Sequence, residues 1–225
     1  IVTRDVTPDP RITALIASYS ELIKPIASRV LGQITSAVTK APNAAGESLL
    51  GDLVADAQLA DTSVTGGGTP VIAFMNPGGI RADLTMTSAG GPGVVTFADA
   101  FAVQPFNNYL VSMTMTGAQL STLLTQQFTG ANAAAPRILQ VSKGFSYAWR
   151  QGLAGPEIVP GSMLLNGVPI DAAQSYRIVA NSFLSDGGDG FGAFTGATNK
   201  IFGGLDIDGF ARYLQASSPY TPVPG

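Results

Sequence analysis

The chain has 225 residues, of which 45% are hydrophobic and 12% are charged, and its formal net charge is −3. It contains neither histidine nor cysteine, which excludes a Ser–His hydrolase, a histidine-held zinc centre and thiol chemistry. No basic run indicates a nucleic-acid-binding surface, and no apolar run reaches the length of a membrane span. The composition fits one large domain or two small ones with a sizeable core.

The first predicted element is an amphipathic helix from Pro10 to about Arg29. Asp9 is a suitable N-cap, Pro10 a suitable first residue, and apolar residues recur at helical spacing between residues 15 and 26. Pro25 is expected to disturb the helix near its end. A strand, "VLGQITSAV", should follow, and from Glu47 onwards the leucines again have helical spacing.

The middle and end of the chain alternate between strands and helices. "VIAFMN" predicts a short buried strand, "YLVSMTM" and "SYRIVANSFL" predict longer ones, and Thr116 with Gln119 forms a capping box that starts a helix. Asp206 to Gln215 is a last short helix. Because these elements lack the regular spacing of βαβ units, we expect an α/β fold of the α+β type. It should be a layered α/β/β/α sandwich with mixed sheets, and not a doubly wound fold.

Two glycine loops stand out, each at the end of a predicted buried strand. "NPGGIR" ends in Arg81, and "SDGGDGFG" contains Asp189. Phe106 and Phe183 are also predicted to lie in or near loops. Two aromatic rings, a carboxylate and a guanidinium are the groups that a nucleoside needs for its base and its ribose hydroxyls. The alternative is that the loops are only tight turns and both phenylalanines belong to the core.

Other motifs have weaker support. Gly188 to Ala193 loosely fits the dinucleotide-binding pattern G-x-G-x-x-G/A, which would indicate a nicotinamide-cofactor enzyme. The segment that follows, "FTGATNK", does not predict the helix that such a site requires. Lys143 could contact a ligand, although a solvated surface lysine is the better explanation.

Four segments in order resemble a known family: "GESLLGDLVADAQL", "NPGGIRADL", "VVTFADAFAVQPFNNYLVSMTMTGAQL" and "YRIVANSFLSDGGDGFGAF". They are similar to the C-terminal substrate-binding domain of the 5′-nucleotidase and UDP-sugar hydrolase family. The resemblance implies an interdomain linker segment with a helix at residues 1–29 and the substrate-binding domain at 30–225. It also implies a catalytic metallophosphatase domain that this chain does not contain. That N-terminal domain would carry two divalent metal ions and the catalytic His/Asp dyad.

The resemblance also implies roles for particular residues. Phe106 and Phe183 look like the pair that holds the base, Asp189 like the ribose-binding acid, and Arg81 like the arginine beside it. The full set of implied contacts is Asn76, Gly78, Gly79, Arg81, Phe106, Asn108, Phe183, Gly188 and Asp189. Two departures are visible: Pro77 stands where the family usually has glycine, and the segment "NAAGE" has no basic residue where family members carry an arginine just before the motif that starts at Glu47.

The expected function is therefore nucleotide or nucleoside binding within a two-domain, metal-dependent 5′-nucleotidase-like phosphoesterase. We expect the chain alone to be inactive, to need no cofactor of its own, and to work with an N-terminal metallophosphatase domain of the same polypeptide. Such a protein would be extracellular, periplasmic or attached to the cell surface. The main alternative is a non-catalytic nucleoside-binding or cell-surface module.

Overall fold

A computed structural model describes residues 5–223. Residues 1–4 of the predicted linker segment and residues 224–225 at the end of the chain therefore lie outside the described part. Within the described part the α-helices are α1 (Pro10–Ala27), α2 (Leu49–Ala60), α3 (Phe97–Val103), α4 (Gly117–Thr125), α5 (Ser182–Ser185) and α6 (Asp206–Ala216).

The strands form one central sheet and three small ones. Within residues 5–223 they are β1 (Val30–Gln33), β2 (Ile72–Met75), β3 (Val94–Thr96), β4 (Tyr109–Thr116), β5 (Gln140–Val141), β6 (Phe145–Ser146), β7 (Trp149–Gly152), β8 (Gly155–Ile158), β9 (Leu164–Leu165), β10 (Val168–Pro169), β11 (Ser175–Asn181) and β12 (Thr198–Leu205). The central sheet has the order β12-β4-β11-β2-β5. Only the β11–β2 pair is parallel among its pairs, so the sheet is mixed and the predicted α/β fold is confirmed.

The central sheet separates two hydrophobic cores. Along β2, Ala73 and Met75 face a core shared with α2, α3 and α6, whereas Ile72 and Phe74 face a core shared with α4. This alternation follows from the two-residue period of a strand. Because both faces of β2 are buried, its sequence is continuously apolar and not alternating.

Helix α1 forms as predicted but buries none of its residues. The Asp9 carboxylate accepts a hydrogen bond from the backbone N–H of Arg11, and the helix continues through Pro25 to end at Ala27. Its apolar side chains are all exposed: Ile12, Leu15, Ile16, Tyr19, Leu22, Ile23 and Ile26. No residue among 5–223 covers this apolar stripe.

Several segments differ from the sequence-based expectation. The strand predicted over "SYRIVANSFL" ends at Asn181, and Ser182–Ser185 forms the short helix α5 instead. The predicted strand "VLGQITSAV" is regular only over Val30–Gln33, and Ile34 and Val38 continue it as isolated bridges. "TNKIFGGL" is the edge strand β12, which the sequence did not predict because its glycines and lysine break any alternation. Its register with β4 is irregular in two places. Between residues 188 and 196 the chain forms short 3₁₀ turns and no α-helix. The helix that a dinucleotide-binding site requires therefore does not follow the glycine motif here.

The buried amide of Gln104 generates a prediction about stability. Its side chain is 1% exposed, and neither amide atom has a hydrogen-bond partner among residues 5–223. Gln104→Leu removes this unsatisfied group at similar volume, so we expect the free energy of unfolding to rise by about 1–3 kcal/mol. Urea denaturation of the purified chain measures it.

Gln127 provides the matched control because it is equally buried, but both its amide nitrogen and its amide oxygen form hydrogen bonds. Its Nε2 donates to the Leu124 carbonyl, and its Oε1 accepts from the Leu139 N–H and the Tyr147 hydroxyl. Gln127→Leu should therefore lower the free energy of unfolding. If Gln104→Leu lowered the free energy of unfolding as much as Gln127→Leu does, the prediction would be wrong.

Candidate functional site

The strand directions bring three predicted loops to one edge of the central sheet. Asn76 follows β2, and Asn181 ends β11, which runs parallel to β2 with Ala180 opposite Phe74. Strand β4 is antiparallel to β11 and pairs Leu110 with Asn181, so the loop before β4 lies at this edge too. Ligand-binding loops commonly occupy the carboxyl ends of parallel strands.

A chain of amide hydrogen bonds joins the first and third loops. The Asn181 Nδ2 donates to Asn76 Oδ1 at 3.0 Å, and the Asn76 Nδ2 donates to Asp189 Oδ2 at 2.8 Å. Asn181 also accepts from the Leu184 N–H at 2.9 Å, which caps α5. Asn76 and Asn181 are buried, so their role is to orient the half-buried Asp189 carboxylate.

The backbone of Asp189 is held separately. Asp189 has a left-handed backbone with φ of 55°, a conformation that aspartate tolerates better than most residues. The Asn132 Nδ2 donates to the Asp189 carbonyl at 2.9 Å, and Arg137 Nη1 donates to Asn132 Oδ1 at 2.7 Å. Within residues 5–223, Asp189 Oδ1 accepts no hydrogen bond, so this oxygen is available to a ligand.

Arg81 connects the glycine loop with the first aromatic ring. Its Nη1 donates to the Gly78 carbonyl at 3.2 Å, and its Cζ lies 5.9 Å from the centroid of the Phe106 ring. The Arg81 backbone N–H donates to the Val103 carbonyl at 2.9 Å, which ties the loop to the end of α3. The guanidinium therefore lies at the surface with donors left over for a ligand.

The second aromatic ring lies on a glycine. A Cβ built on Gly188 would be 2.5 Å from Cε1 of Phe183, so only glycine leaves room for this ring. Gly79 is similarly constrained, since a Cβ there would be 2.5 Å from Met75 Cε. Phe106 is 53% exposed and Phe183 is 45% exposed. The alternative that both phenylalanines belong to the core is therefore wrong.

These contacts run continuously from one ring to the other. Phe106 lies beside Arg81, and Arg81 donates to the carbonyl of Gly78, which belongs to the same loop as Asn76. Asn76 donates to Asp189, and Phe183 lies against Gly188, the residue before Asp189. The structure thus brings the predicted contacts other than Asn108 into one surface, called here the Phe–Asp surface. Its residues are Asn76, Gly78, Gly79, Arg81, Phe106, Phe183, Gly188 and Asp189. That the two rings face each other across a single base remains a prediction.

Asn108 lies near this surface but is engaged elsewhere. Its Nδ2 donates to Asp206 Oδ2 at 3.3 Å, and its carbonyl accepts from the Asp206 N–H at 2.8 Å. Burial raises the pKa of Asp206 to about 6, although the bonds from Ile207 and Asn108 oppose this rise. Asn108 therefore anchors the start of α6, and its contact with a ligand remains a prediction.

Sequence reasoning missed three residues of the site. Asn181 could have been found, because it ends a strongly predicted strand just before the second glycine loop. Asn132 and Arg137 lie in and after "TGANAAAP", where no local pattern indicates that they would hold Asp189.

The described residues contain no group of three or more carboxylates, histidines or cysteines placed to hold a metal ion. Within the same range, no helix is both long and apolar enough to cross a membrane. The surface can therefore offer stacking, charge and hydrogen bonds, which are binding interactions.

Comparison with known proteins now adds to this geometry. The family model for "5'-nucleotidase, C-terminal domain" matches residues 30–196. The chain belongs to this family. The family resemblance found in the sequence motifs is thereby confirmed, and the match contains every residue of the Phe–Asp surface.

Individual relatives of the 5′-nucleotidase C-terminal domain agree. The chain is 34% identical over 222 residues to "Cell wall protein Lmo0130" of Listeria monocytogenes, covering 95% of this chain and 28% of that protein. It is 27% identical over 223 residues to the "NAD 5'-nucleotidase" of Haemophilus influenzae, covering 92% and 34%. The chain therefore spans about a third of the length of these relatives.

A solved structure shares the fold. The 5'-nucleotidase precursor from Thermus thermophilus superposes with a TM-score of 0.77 at 26% identity, covering 97% of this chain and 43% of that one. The mixed α/β architecture described above is thus the fold of 5′-nucleotidase C-terminal domains.

The Asn108–Asp206 pair generates a pH-dependent prediction. Asp206 has its folded pKa raised from 3.8 to about 6, so its contribution to stability falls as pH rises between these values. Above pH 6 the folded carboxylate is charged and uses the Asn108 bond. We expect Asn108→Ala to cost about 1.5–3 kcal/mol at pH 8 and less at pH 5, measured by urea denaturation.

The control is the same substitution in an Asp206→Asn background. There the side chain cannot ionise, so the cost of Asn108→Ala should no longer differ between pH 5 and pH 8. An equal cost at both pH values in the otherwise unaltered chain would contradict the role given to Asn108.

Proposed function

We propose that this chain is the nucleotide-binding part of a two-domain, metal-dependent 5′-nucleotidase-like phosphoesterase that acts outside the cytoplasm. In this proposal residues 30–225 are the substrate-binding domain, and residues 1–29 link it to a catalytic domain. The observation that carries the proposal is the Phe–Asp surface, in which two exposed phenylalanines, a guanidinium and a carboxylate form one continuous set of contacts. Membership of the 5′-nucleotidase C-terminal domain family supports it.

Each group of the surface has a chemical role in this proposal. Phe106 and Phe183 hold the flat base by stacking, which is tolerant of base identity because every base has a π-face. Asp189 accepts a ribose hydroxyl through Oδ1, while Asn76 keeps its other oxygen in position. Arg81 donates to ribose or phosphate oxygens, which guanidinium groups bind well. The glycines beside them let the ligand approach the backbone.

The reaction chemistry would come from a metallophosphatase domain that carries two divalent metal ions. The part played by the present chain is to hold the nucleoside, so that the phosphate reaches the reaction centre at a lower entropic cost. The uncovered apolar stripe of α1 supports a neighbouring domain, because soluble proteins seldom leave such a stripe in contact with water.

A second candidate is a non-catalytic nucleoside-binding module of the cell surface. It is favoured by the relative from Listeria monocytogenes, whose printed name, "Cell wall protein Lmo0130", gives a location and names no reaction. The same relative supports a location outside the cytoplasm. The two candidates share the Phe–Asp surface and differ in whether the longer protein hydrolyses a phosphate ester.

The Phe–Asp surface is tested by titrating the chain with AMP and UMP in a calorimeter. Phe106→Ala and Phe183→Ala should each weaken binding by about 1–3 kcal/mol, because each removes one stacking partner. Arg81→Ala should cost about 1.5–3 kcal/mol through the lost charged hydrogen bond. Since these side chains are exposed, melting temperatures should change little.

Phe202→Ala is the matched control for the aromatic pair. Phe202 is also exposed, at 61%, but it lies on the edge strand β12, so nucleotide affinity should not change. Phe→Trp at position 106 or 183 should retain binding. If the two alanine variants bind as tightly as the unaltered chain, the Phe–Asp surface is not the nucleotide site.

Catalysis is tested separately, with AMP and added Mn²⁺, Zn²⁺ or Mg²⁺. We expect the 225-residue chain to release no phosphate above a blank, since it has no histidine and no metal-holding cluster within residues 5–223. The longer natural protein should release phosphate in the same assay. Nucleotide binding without hydrolysis by that longer protein would favour the second candidate, and metal-dependent hydrolysis by this chain would overturn its assignment as a binding part.

A further inference from the structure

A second cleft lies away from the Phe–Asp surface. It has a volume of about 470 Å³ and is bounded by α2, by residues 138–149 and by the end of the chain from α6 to residue 223. None of the nine predicted nucleotide contacts lines it. Its volume is within the range of sites for small organic molecules, roughly 300–1,000 Å³.

One wall of this cleft carries three carboxyl groups. Asp52 and Asp56 are four residues apart on α2 and so share a helix face, and Glu47 precedes the helix. Asp52 Oδ1 is buried and receives no hydrogen bond from an N–H or hydroxyl donor among residues 5–223, while the carboxyl group of Glu47 lies close enough to hydrogen-bond with Asp52. Two carboxyl groups this close cannot both be charged without a cost, which a shared proton or a bound cation relieves.

One positive charge, Lys143, also lines the cleft. Its backbone N–H donates to Asp56 Oδ1 at 2.7 Å, but among the described residues its ammonium makes no ion pair with any of the three carboxyl groups. Three carboxyl groups against one ammonium leave the cleft negative when they are ionised. This net negative charge disfavours the binding of an anion such as a nucleotide phosphate.

Aromatic rings also line the cleft. The polar tips of two of them point to other partners: the Tyr147 hydroxyl donates to Gln127 Oε1 at 2.9 Å, and the Trp149 Nε1 donates to the Ala45 carbonyl at 2.9 Å. Tyr213 and Tyr220 lie close enough to Asp56 that its charge, after burial, helps to raise the pKa of both hydroxyls. Aromatic faces beside carboxylates are the usual surroundings of a bound organic cation.

We propose that this cleft binds a small organic molecule with a primary ammonium head and an apolar body. The ammonium lies among the carboxyl groups of Glu47, Asp52 and Asp56 that line the cleft, which can accept its three N–H donors. The apolar body lies against Tyr213, Tyr220 and Trp149. A quaternary ammonium has no N–H to donate to these carboxylates. A bare metal ion does not fit, because no set of three or more ligands within residues 5–223 is arranged to hold one.

The protonation of Asp52 should make the affinity for the ammonium depend on pH. Burial, followed by the nearby charge and hydrogen bond of Glu47 and then by the charge of Asp56, raises the pKa of Asp52 to about 8. Lys143 and the tyrosines at 147, 213 and 220 are the other titratable groups of the cleft. An arriving ammonium replaces the proton on Asp52, so binding should tighten from pH 6 to pH 9, while a primary amine of pKa about 10 stays charged.

The test is calorimetry of the 225-residue chain with phenethylamine and with its neutral analogue 2-phenylethanol. Phenethylamine should bind at least 10-fold more tightly than the alcohol, with an affinity that increases from pH 6 to pH 9. Asp52→Asn should weaken amine binding at least 10-fold, while the fold persists because asparagine has nearly the same size and shape as aspartate. Lys143→Met removes a positive charge that lines the cleft and should tighten binding of the cation.

Glu157→Gln is the matched control. Glu157 is an exposed carboxylate that pairs with Arg150 at 2.8 Å outside the cleft, so its removal should leave the affinity for phenethylamine unchanged. The proposal is overturned if amine and alcohol bind alike or neither binds, or if Asp52→Asn has no more effect than Glu157→Gln. Displacement of phenethylamine by AMP would also overturn it, since that would assign the amine to the Phe–Asp surface.

Discussion

The parallel pairing of β2 with β11 is the constraint on which the candidate nucleotide site depends. It is the only parallel pair of the central sheet within residues 5–223, and it brings the ends of two strands that are about 100 residues apart in the sequence to the same edge. Asn76 and Asn181 then lie side by side and form a hydrogen bond. A register shift of one residue would turn these asparagines to opposite faces and separate the loops.

Hydrogen bonds of the buried amide side chains at this edge fix the positions of the loops that strand pairing brings together. Each amide has donors and an acceptor that must be satisfied once it leaves water, and a half-satisfied network would be costly. Here Asn181 bonds to Asn76, Asn76 bonds to Asp189, and Asn132 bonds to the backbone of Asp189. The site is therefore rigid on the protein side, which lowers the entropic cost of binding.

Local sequence patterns predicted the parts of this site that depend on local chemistry. An apolar run followed by glycines located both loops. Phe106 lies in a loop as predicted, and Phe183 lies in the short helix α5 beside the second glycine loop, with both rings exposed. Asn132 was missed because its partner lies 57 residues away and no local pattern reports such a contact. Strand β12 was missed because an edge strand with glycines needs pairing with β4 to become regular. The second cleft was missed because its residues are far apart in the sequence. Tyr213 and Tyr220 lie near the end of the chain, whereas the carboxyl groups of Glu47, Asp52 and Asp56 lie in its first quarter.

The left-handed backbone of Asp189 narrows the choice of residue at this position. Glycine, asparagine and aspartate occupy such a conformation most easily. Glycine offers no side chain, asparagine offers no negative charge, and glutamate would keep the charge but lose the backbone preference and move its oxygens further from the loop. If Asp189 binds ribose as proposed, backbone geometry and ligand chemistry both favour aspartate independently, and a change that satisfies one of them fails the other.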